Sequence, residues 1–460
     1  MSGYFPGVAT STNVSAFDLA GSPVARAVSV GHAVEVVKRV QILYEQCAGI
    51  DVHKDQVTVA VRSPGQGPGG RSTEVRKFQT FYGVLAEMAR WLMSMRVTHV
   101  AMEATGIYTM PVYHALLEHG RFEQVLVCNA AHVKNVPGRK TDAVDAAWLA
   151  QLLECGLLRG SFIPPPQVKA VRDVARYRKK LVGERSSEVQ RLGGVLQDAG
   201  IKLDSVASSI ATVSGRAMIE ALIEGERRGV VLAELARGRM RAKIPDLAWA
   251  LEGRFGEHHA LMCRLHLEHV DHLDDMIARL DSQVEQMMVP FRRPRELLVT
   301  IPGIAAISAA AVLAEIGVNP AEFFASDAHL ASWTGLCPGN HESAGKRKHG
   351  HPRKGNQHVK PLLVEAAWSA VRTNGRLKAR YHRLVLRFGG YRNPAAKKRA
   401  IIAIAHTLIV IIWHVLATDT PYTDLGAGFY QRRADPDRES RRLVARLQAL
   451  GHTVTLEPAA

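Results

Sequence analysis

Residues 42–63 read ILYEQCAGIDVHKDQVTVAVRS, and this stretch decides the fold. Two apolar segments rich in Ile and Val flank the short polar turn HKD at 53–55. Such a pattern predicts two strands joined by a tight connection. A third segment, STEVRKFQTF at 72–81, alternates along its length and predicts a third strand.

Helix-like and strand-like segments then alternate along the chain. Helices are predicted at YGVLAEMARWLMSM (82–95), YTMPVYHALLEHG (108–120) and TDAVDAAWLAQLLECG (141–156), and strands at THVAMEAT (98–105) and EQVLVCNA (123–130). The order β-β-β-α-β-α-β-α gives a mixed sheet with helices on its faces. It is the order of an RNase H-like fold, so the predicted class is an α/β domain followed by an α-helical remainder.

Changes in composition set the predicted domain boundaries. Three prolines at 164–166 end the α/β domain at 41–163, which follows a Gly- and Ser-rich tail at 1–40 that we expect to be flexible. Residues 164–295 are predicted to form a helical linker with a coiled-coil seam, because apolar side chains recur there at alternating spacings of three and four. The seam residues are Val270, Leu273, Ile277, Leu280, Val284 and Met287. A mostly helical C-terminal domain at 296–418 and a tail at 419–460 complete the chain.

The charge of the chain points to a polyanionic partner. The 460 residues contain 59 Lys and Arg against 43 Asp and Glu, which gives a net charge of +16. This excess is larger than a pocket for a small acidic molecule needs, and it favours nucleic acid or an anionic membrane surface. The five cysteines form no CxxC pair, so the sequence excludes a disulfide scaffold and a Cys-rich zinc domain and is typical of a reducing cytosol.

A membrane partner is disfavoured by the one long apolar run. Residues 400–417 read AIIAIAHTLIVIIWHVLA, and they include His406, Thr407 and His414. A membrane helix needs about 20 clean apolar residues. We therefore predict a buried core helix and no membrane contact, and the N-terminal residues show no secretory signal. The expected location is the cytoplasm.

Four acids stand where a sheet of this order would bring them together. Asp51 ends the first strand, Glu103 ends the fourth, and Asp142 and Asp145 lie on one face of the last helix. Each acid by itself is also compatible with an ordinary role, such as favouring the first turn of a helix. Four carboxylates at one point repel one another unless a counter-charge is present. Hard divalent cations such as Mg²⁺ supply that charge through oxygen ligands and support phosphoryl transfer.

The strings GIDVHKD, MEATG, GRKTDAVDAAWLAQLL, IPGIAAISAAAVLAEIG and GLCPGNHESAGK resemble the DEDD transposases of bacterial insertion sequences. This is the IS110 family, to which the Piv-type DNA invertases are similar. The resemblance covers residues 41–417. It implies a RuvC-like N-terminal domain whose Mg²⁺-binding acids are Asp51, Glu103, Asp142 and Asp145, a coiled-coil linker and a C-terminal transposase domain.

The same resemblance implies a nucleophile and further partners. Ser343 in the segment SAG resembles the family's nucleophilic serine, although an ordinary loop serine is the simpler interpretation of the residues by themselves. The family further implies donor and target DNA, a guide RNA encoded by the element, and a homo-oligomer, either a dimer or a tetramer. Three alternatives stay open: a site-specific invertase, a RuvC-like nuclease that uses water, and a non-catalytic nucleic-acid-binding scaffold.

Two basic clusters are candidate nucleic-acid contacts. The segment GLCPGNHESAGKRKHGHPRKGNQHVK is predicted to be a loop up to Asn356, which would cap the following helix. Its cations are Lys346, Arg347, Lys348, Arg353, Lys354 and Lys360. The second cluster follows the prolines, and we single out Arg176, Lys179 and Lys180 in it. Charge runs are often no more than solvated faces, but with this net charge a nucleic-acid groove is the better interpretation.

The histidine-rich segment HHALMCRLHLEHVDH at 258–272 invites a zinc interpretation. Cys263 and His266, however, continue the seam of Val270 and Leu273 backwards along the helix. No second Cys or His cluster is at hand to complete a tetrahedral site. We therefore expect helix packing here rather than metal binding.

Overall fold

The computed structural model describes residues 41–67, 70–129, 142–339, 341–343, 345–348, 354–432 and 436–457. The chain divides into two compact units, with the boundary between Ile163 and Pro164. The first unit carries a mixed sheet, and the second is helical apart from one short hairpin in the part that is described. The predicted tail at 1–40 lies outside the described residues.

The first unit follows the predicted order of elements. Its strands are β1 (Cys47–Val52), β2 (Gln56–Pro64), β3 (Arg71–Gln79), β4 (His99–Glu103) and β5 (Gln124–Cys128). Its helices are α1 (Tyr82–Ser94), α2 (Thr109–His119), which follows a 3₁₀ turn at Gly106–Tyr108, and α3 (Asp142–Glu154).

The five strands form one sheet in the order β3-β2-β1-β4-β5. β1 is antiparallel to β2 and β2 to β3, whereas β4 and β5 continue parallel to β1. The predicted RNase H-like α/β class is therefore confirmed. β1 starts at Cys47, later than predicted, because the amides of Leu43 and Tyr44 donate to the Glu154 carbonyl of α3 instead of to a strand.

Alternate residues of β1 face two different layers of helices. Ala48, Ile50 and Val52 face the larger core. In that core they pack with residues of α1 and α2, among them Leu85, Met88, Val112 and Leu116. Cys47 faces the opposite side, where Ala101, Cys128, Leu149 and Leu153 form a second cluster. The helix α3 thus covers one face of the sheet.

Gly49 lies on the α3 face of β1, where strand and helix approach most closely. A Cβ atom at this position would clash with the carbonyl oxygen of Ala146 and the amide nitrogen of Ala150. The Cys47 thiol, on the same face, donates to the Ala150 carbonyl oxygen at 3.4 Å. The missing side chain of Gly49 therefore allows the backbone of α3 to rest directly on β1.

The second unit is built from helices. They are α4 (Pro166–Asp198), α5 (Leu203–Val206), α6 (Val213–Ile223), α7 (Gly229–Ala233), α8 (Ile244–Ala250), α9 (Glu257–Met287), α10 (Arg292–Val299), α11 (Ala306–Ile316), α12 (Asp327–Trp333), α13 (Val359–Ala370), α14 (Arg376–Arg387), α15 (Pro394–Ala417), α16 (Phe429–Arg432) and α17 (Pro436–Ala449). Three 3₁₀ turns lie at Gly238–Lys243, Val289–Phe291 and Pro320–Glu322. A hairpin of β6 (His341–Ser343) and β7 (Lys346–Lys348) lies between α12 and α13.

The predicted seam of α9 packs within the chain. Leu273 and Ile277 are buried against Leu181 of α4, with Leu280 partly buried beside them. The two helices run antiparallel, because Arg178 pairs with Asp281 and Arg185 with Asp274. The short helices α5 to α8 cover one end of this pair, where Met218, Leu232 and Leu247 share a core with residues of α4 and α9.

The apolar helix α15 forms the core of the C-terminal part. It is long and apolar enough to cross a membrane, with mean hydropathy 2.3, but 56% of that apolar window is buried inside the unit. Ile404, Leu408 and Ile412 are fully buried, and α12, α13 and α14 pack against the helix. This burial agrees with the predicted core helix.

Replacing Gly49 by Ala should destabilise the first unit. The new methyl group would meet the backbone of α3, which cannot move aside as a side chain can, and we expect a loss of about 1–3 kcal/mol. Gly83→Ala is the matched control. Gly83 lies in α1 with open space around its Cβ direction, so Ala should be neutral or slightly stabilising there. Urea unfolding of the full chain measures both; equal stabilities would show that the close approach is unimportant.

Candidate catalytic site

Asp51 and Glu103 lie side by side at the carboxyl ends of two parallel strands. The paired register of β1 and β4 ends with Ile50 opposite Met102, and each acid is the next residue of its strand. Side chains alternate along a strand, so Asp51 shares the face of Gly49, and Glu103 shares the face of Ala101. Gly49 and Ala101 both face α3. The two acids therefore point to the side of the sheet that α3 covers.

The helix α3 brings its first turn to the same end of the sheet. Leu43, which precedes β1, bonds to Glu154. Within β1, Cys47 bonds to Ala150 and Gly49 lies against Ala146. Strand and helix thus run antiparallel, and the start of α3 approaches the end of β1. Asp145 precedes Ala146 and is half-buried. Asp142 is the first residue of the helix, and its side chain lies outside the described part of the structure.

Asp51 has close partners that the sequence analysis missed. Its side chain is 13% exposed, and its Oδ2 lies 3.1 Å from Nε2 of His53. Thr58 is directly opposite on β2 and is fully buried. Among the described residues, its hydroxyl has no hydrogen-bond partner. The only sequence signal for His53 is its position two residues after Asp51. No sequence pattern predicts that two residues at this spacing will be in contact at the end of a strand.

The turn after Glu103 is fixed by threonines. The amide of Thr105 donates to Oγ1 of Thr109 at 2.8 Å, and that hydroxyl lies 3.4 Å from the Glu103 carbonyl oxygen. Gly106 adopts φ +69°, which favours glycine. This turn holds the backbone that carries Glu103. Burial, followed by the nearby Glu103 carboxylate, raises the pKa of the Cys128 thiol to about 11, so this cysteine stays protonated and is no competing nucleophile.

Ser343 lies in a hairpin, where the sequence analysis predicted a loop. It is the last residue of β6 and pairs in register with Lys346 of β7. Two residues connect the strands, and the second, Gly345, has φ +72°. A tight turn with glycine at a left-handed position is a frequent hairpin connection, and it explains the difference. Of Ser343 the structure describes the backbone, and its side chain lies outside the described part.

The predicted basic residues of this segment are described to different extents. Lys346, Arg347 and Lys348 form β7, with their side chains outside the described part, and Arg353 is outside it altogether. Lys354 is exposed. Lys360 donates to the carbonyl oxygen of Gly335 at 3.0 Å. The segment ends as predicted, since Asn356 Oδ1 accepts from the amides of His358 and Val359 at the start of α13.

A buried ion pair anchors the end of this segment. Glu315 of α11 is 2% exposed and accepts two hydrogen bonds from Arg176 of α4, at 2.7 and 2.9 Å. The Asn356 amide donates to the same carboxylate at 3.2 Å. Burial alone would raise the pKa of Glu315, but Arg176, Arg172 and Asn356 hold it below its ordinary value. The carboxylate thus ties α4, α11 and the start of α13 together.

The three cations singled out on α4 are each paired with an acid. Arg176 pairs with Glu315 as above. Lys179 lies 2.8 Å from Glu365, and Lys180 lies 3.6 Å from Glu184. A nucleic-acid contact by these side chains would have to compete with those pairs, and their predicted role remains a prediction.

The histidine segment packs as a helix. His259 is buried, its Nδ1 accepts from the Gly256 amide and its Nε2 lies 3.0 Å from Asp198. Ligand atoms of Asp198, His258 and His259 lie within 4.8 Å of one another, but both nitrogens of His259 are already engaged. Cys263 is buried in the core. Its burial agrees with the expected role in packing.

Glu315→Gln should destabilise the second unit by about 2–3 kcal/mol at neutral pH, because it removes the charge that faces the partly exposed Arg176. The carboxylate has a lowered pKa, so its contribution is complete above the ordinary carboxyl pKa and is lost as the pH falls below it. The difference between variant and wild type should therefore shrink on acidification. Glu268→Gln, at an exposed position of α9, is the control. Urea unfolding at several pH values measures this; a difference that is constant with pH would refute the account.

Two parts of the chain match families of known proteins. Residues 48–201 match the family DEDD_Tnp_IS110, described as "Transposase", and residues 295–382 match the "Transposase IS116/IS110/IS902 family". The y4pF/y4sB protein of Sinorhizobium fredii, which is named as a transposase, is 25% identical over 337 residues, covering 73% of this chain and 77% of that protein.

Two further likenesses are more limited in extent. The pilin gene-inverting protein of Moraxella bovis is 33% identical over 159 residues, which cover 34% of this chain and 48% of that protein. Thermus thermophilus RuvC is a similar solved structure at 16% identity and a TM-score of 0.20, covering 25% of this chain and 99% of that one. The two family matches include Asp51, Glu103, Asp142 and Asp145 in the first and Ser343 in the second. The chain therefore carries both sequence domains of the IS110 transposases and belongs to that family.

Proposed function

We propose that this protein is a DNA transposase that cuts and rejoins strands with a metal-binding acid cluster and a serine nucleophile. The observation that carries the proposal is the placement of Asp51 and Glu103 at adjacent strand ends, on the face that α3 covers. Asp145 on the first turn of α3 and Asp142 at its start complete the cluster. The similar proteins are named as a transposase and a gene-inverting protein. We propose a corresponding activity on DNA for this chain.

The donors in this cluster fit a hard divalent cation, for which we propose Mg²⁺. Asp51, Glu103, Asp142 and Asp145 offer only carboxylate oxygens, the ligands that Mg²⁺ takes. When bound, such ions neutralise charge that develops on phosphate oxygens and activate an attacking oxygen. The chain itself holds the acids in place through β1, β4 and α3, and His53 restricts the orientation of Asp51.

Ser343 is the proposed nucleophile. Its Oγ would form a bond to a DNA phosphorus atom while one strand oxygen leaves as a hydroxyl. The reverse attack by a hydroxyl of another strand would free the serine and rejoin the DNA, so the energy of the phosphodiester is kept. Its position beside a tight turn, in a segment rich in Lys and Arg, suits close contact with a phosphate backbone.

We infer two further properties from the family and the charge. A guide RNA is proposed as a second nucleic-acid partner, and a net charge of +16 is compatible with two polyanions bound at once. A homo-oligomer, a dimer or a tetramer, is proposed as the active form on the bacterial nucleoid. Because α4 covers the seam at Leu273 and Ile277, such an assembly would use other surfaces.

A second candidate is a site-specific DNA invertase. It is favoured by the 33% identity to the pilin gene-inverting protein over 159 residues. The same acids and the same serine would serve both reactions, since inversion also cuts and rejoins strands. The arrangement of DNA sites beside the gene separates them: terminal ends of a mobile element favour transposition, and a flanked invertible segment favours inversion.

Asp51→Asn should reduce strand cleavage by at least about a hundredfold, because it removes an anionic metal ligand. Binding of DNA should stay within about twofold of wild type, because no cation is lost. Asp55→Asn is the matched control, since Asp55 is an exposed acid in the neighbouring turn and should leave both activities intact. Cleavage in Mg²⁺ and binding in EDTA are measured on the full chain. Normal cleavage by the Asp51 variant would remove that residue from the cluster.

Ser343→Ala should abolish recombination and leave binding intact, because alanine has no atom that can form the phosphoester. Wild-type protein, trapped on a nicked substrate and denatured, should carry DNA covalently, with the adduct mapped to Ser343 by mass spectrometry. Ser332→Ala, at an exposed position of α12, should behave as wild type. Full cleavage by the Ser343 variant without any adduct would instead favour a nuclease that uses water.

A further inference from the structure

A cavity of about 520 Å³ lies in the second unit, away from the histidine and serine segments along the chain. Its walls are α14, α15 and the chain that follows α15 up to Leu425. The lining includes Arg376 and Arg380 from α14 and His406 and His414 from α15. The two arginines are one helical turn apart, so they share a face of α14. They give the cavity two permanent positive charges.

The two arginines of this wall lack internal partners for their Nε groups. Both Nε atoms are buried, and within the described residues neither has a hydrogen-bond partner. The salt bridges seen in the described part of the chain involve neither guanidinium, in contrast to Arg176, Arg185 and Arg295 of the same unit. A buried donor of a charged group destabilises the fold when it is left without an acceptor.

One acid close to the start of α14 is engaged by other donors. Asp424 accepts from the backbone amide of Arg376 at 3.1 Å, from the Tyr422 hydroxyl at 3.0 Å and from the Gly426 amide at 2.6 Å. Burial, followed by the charge of Arg380, lowers the pKa of His406, and the carboxylate of Asp327 opposes this shift. His414 lies 3.5 Å from the carboxylate of Asp327, so the charge that no described carboxylate neutralises through an ion pair is that of Arg376 and Arg380.

Apolar side chains also line the cavity. They are Val410, Ile411, Val415 and Leu425, next to threonines at 407, 418 and 420. A volume of about 520 Å³ lies within the range of small-molecule sites, which combine apolar walls with a few polar anchors. An anion that also carries a flat, weakly polar group would suit a lining that is both basic and apolar.

We propose that this cavity binds one nucleoside phosphate, with the phosphate on Arg376 and Arg380 and the base against Val410 and Ile411. The ligand is either an unpaired nucleotide of a bound strand or a free nucleotide, since both present the same chemistry. The inference stands apart from the metal-dependent reaction, because none of these residues belongs to the acid cluster or to the serine hairpin.

The test is a binding measurement on the full chain in EDTA, so that cleavage does not contribute. One probe is 5′-dAMP, followed by calorimetry, and the other is a short labelled single strand, followed by fluorescence anisotropy. Arg380→Gln should weaken binding of the occupant about tenfold, the loss expected for one charge-assisted hydrogen bond. Arg387→Gln is the matched control, because it removes the same charge at an exposed position of the same helix.

Two outcomes would support the proposal and identify the source of the ligand. If the wild type binds 5′-dAMP and Arg380→Gln weakens that binding, the ligand is a free nucleotide. If Arg380→Gln weakens binding of the single strand alone, the ligand is a nucleotide of the nucleic acid. If Arg380→Gln fails to fold, Val410→Trp keeps both arginines and fills the cavity, and it should weaken the same binding. The proposal would be overturned if folded Arg380→Gln or folded Val410→Trp bound both probes with wild-type affinity. It would also be overturned if the wild type bound neither probe. Because both measurements are made in EDTA, they report binding alone and remain interpretable if the proposed reaction fails.

Discussion

The contact between Gly49 and the backbone of α3 is the constraint on which the candidate site depends. Because Gly49 has no side chain, α3 lies directly on β1, with Ala146 and Ala150 against the strand. The antiparallel course of strand and helix then brings the first turn of α3 to the end of β1. Asp51 and Glu103 lie at that same end, on the same face. A larger residue at position 49 would lift the helix and separate its acids from those of the sheet.

A comparable constraint operates in the second unit. Glu315 is buried and accepts from Arg176 and Asn356, so a single carboxylate holds three separate parts of the chain. Asn356 also caps α13, and it closes the basic segment that contains Ser343. A buried carboxylate is tolerated in the folded protein only while its hydrogen-bond and ion-pair partners remain in place. Ser343 lies before the tight turn at Gly345, and its backbone is fixed by the pairing with Lys346 in the hairpin.

The sequence allowed the first unit to be predicted because its signals are local. Alternation along β1 to β3 and the helical spacing of α1 to α3 gave the element order, and that order gave the sheet neighbours of Asp51 and Glu103. His53 was missed because its importance arises only from the distance to Asp51. In the same way, Gly49 could not be distinguished from any other glycine until the position of α3 was known.

The second unit was harder to predict, for physical reasons. Helices α5 to α8 are short, and their buried residues follow no single period, since they pack around the end of α4 and α9. The heptad spacing of α9 could be recognised in the sequence. Spacing does not show, however, which helix packs against the seam, and in the structure it is α4 of the same chain. The cations of α4 looked free in sequence because the acids that pair with them, such as Glu315 and Glu365, are more than a hundred residues away.

In our proposal, Asp51, Glu103, Asp142 and Asp145 form one divalent-cation site. Anomalous X-ray diffraction from crystals of the full chain soaked in Mn²⁺ would locate the ions without reference to activity. We expect anomalous peaks at the ends of β1 and β4, within about 2.0–2.5 Å of carboxylate oxygens of Asp51 and Glu103 and next to the first turn of α3. Peaks elsewhere, with these four carboxylates turned away from one another, would contradict it.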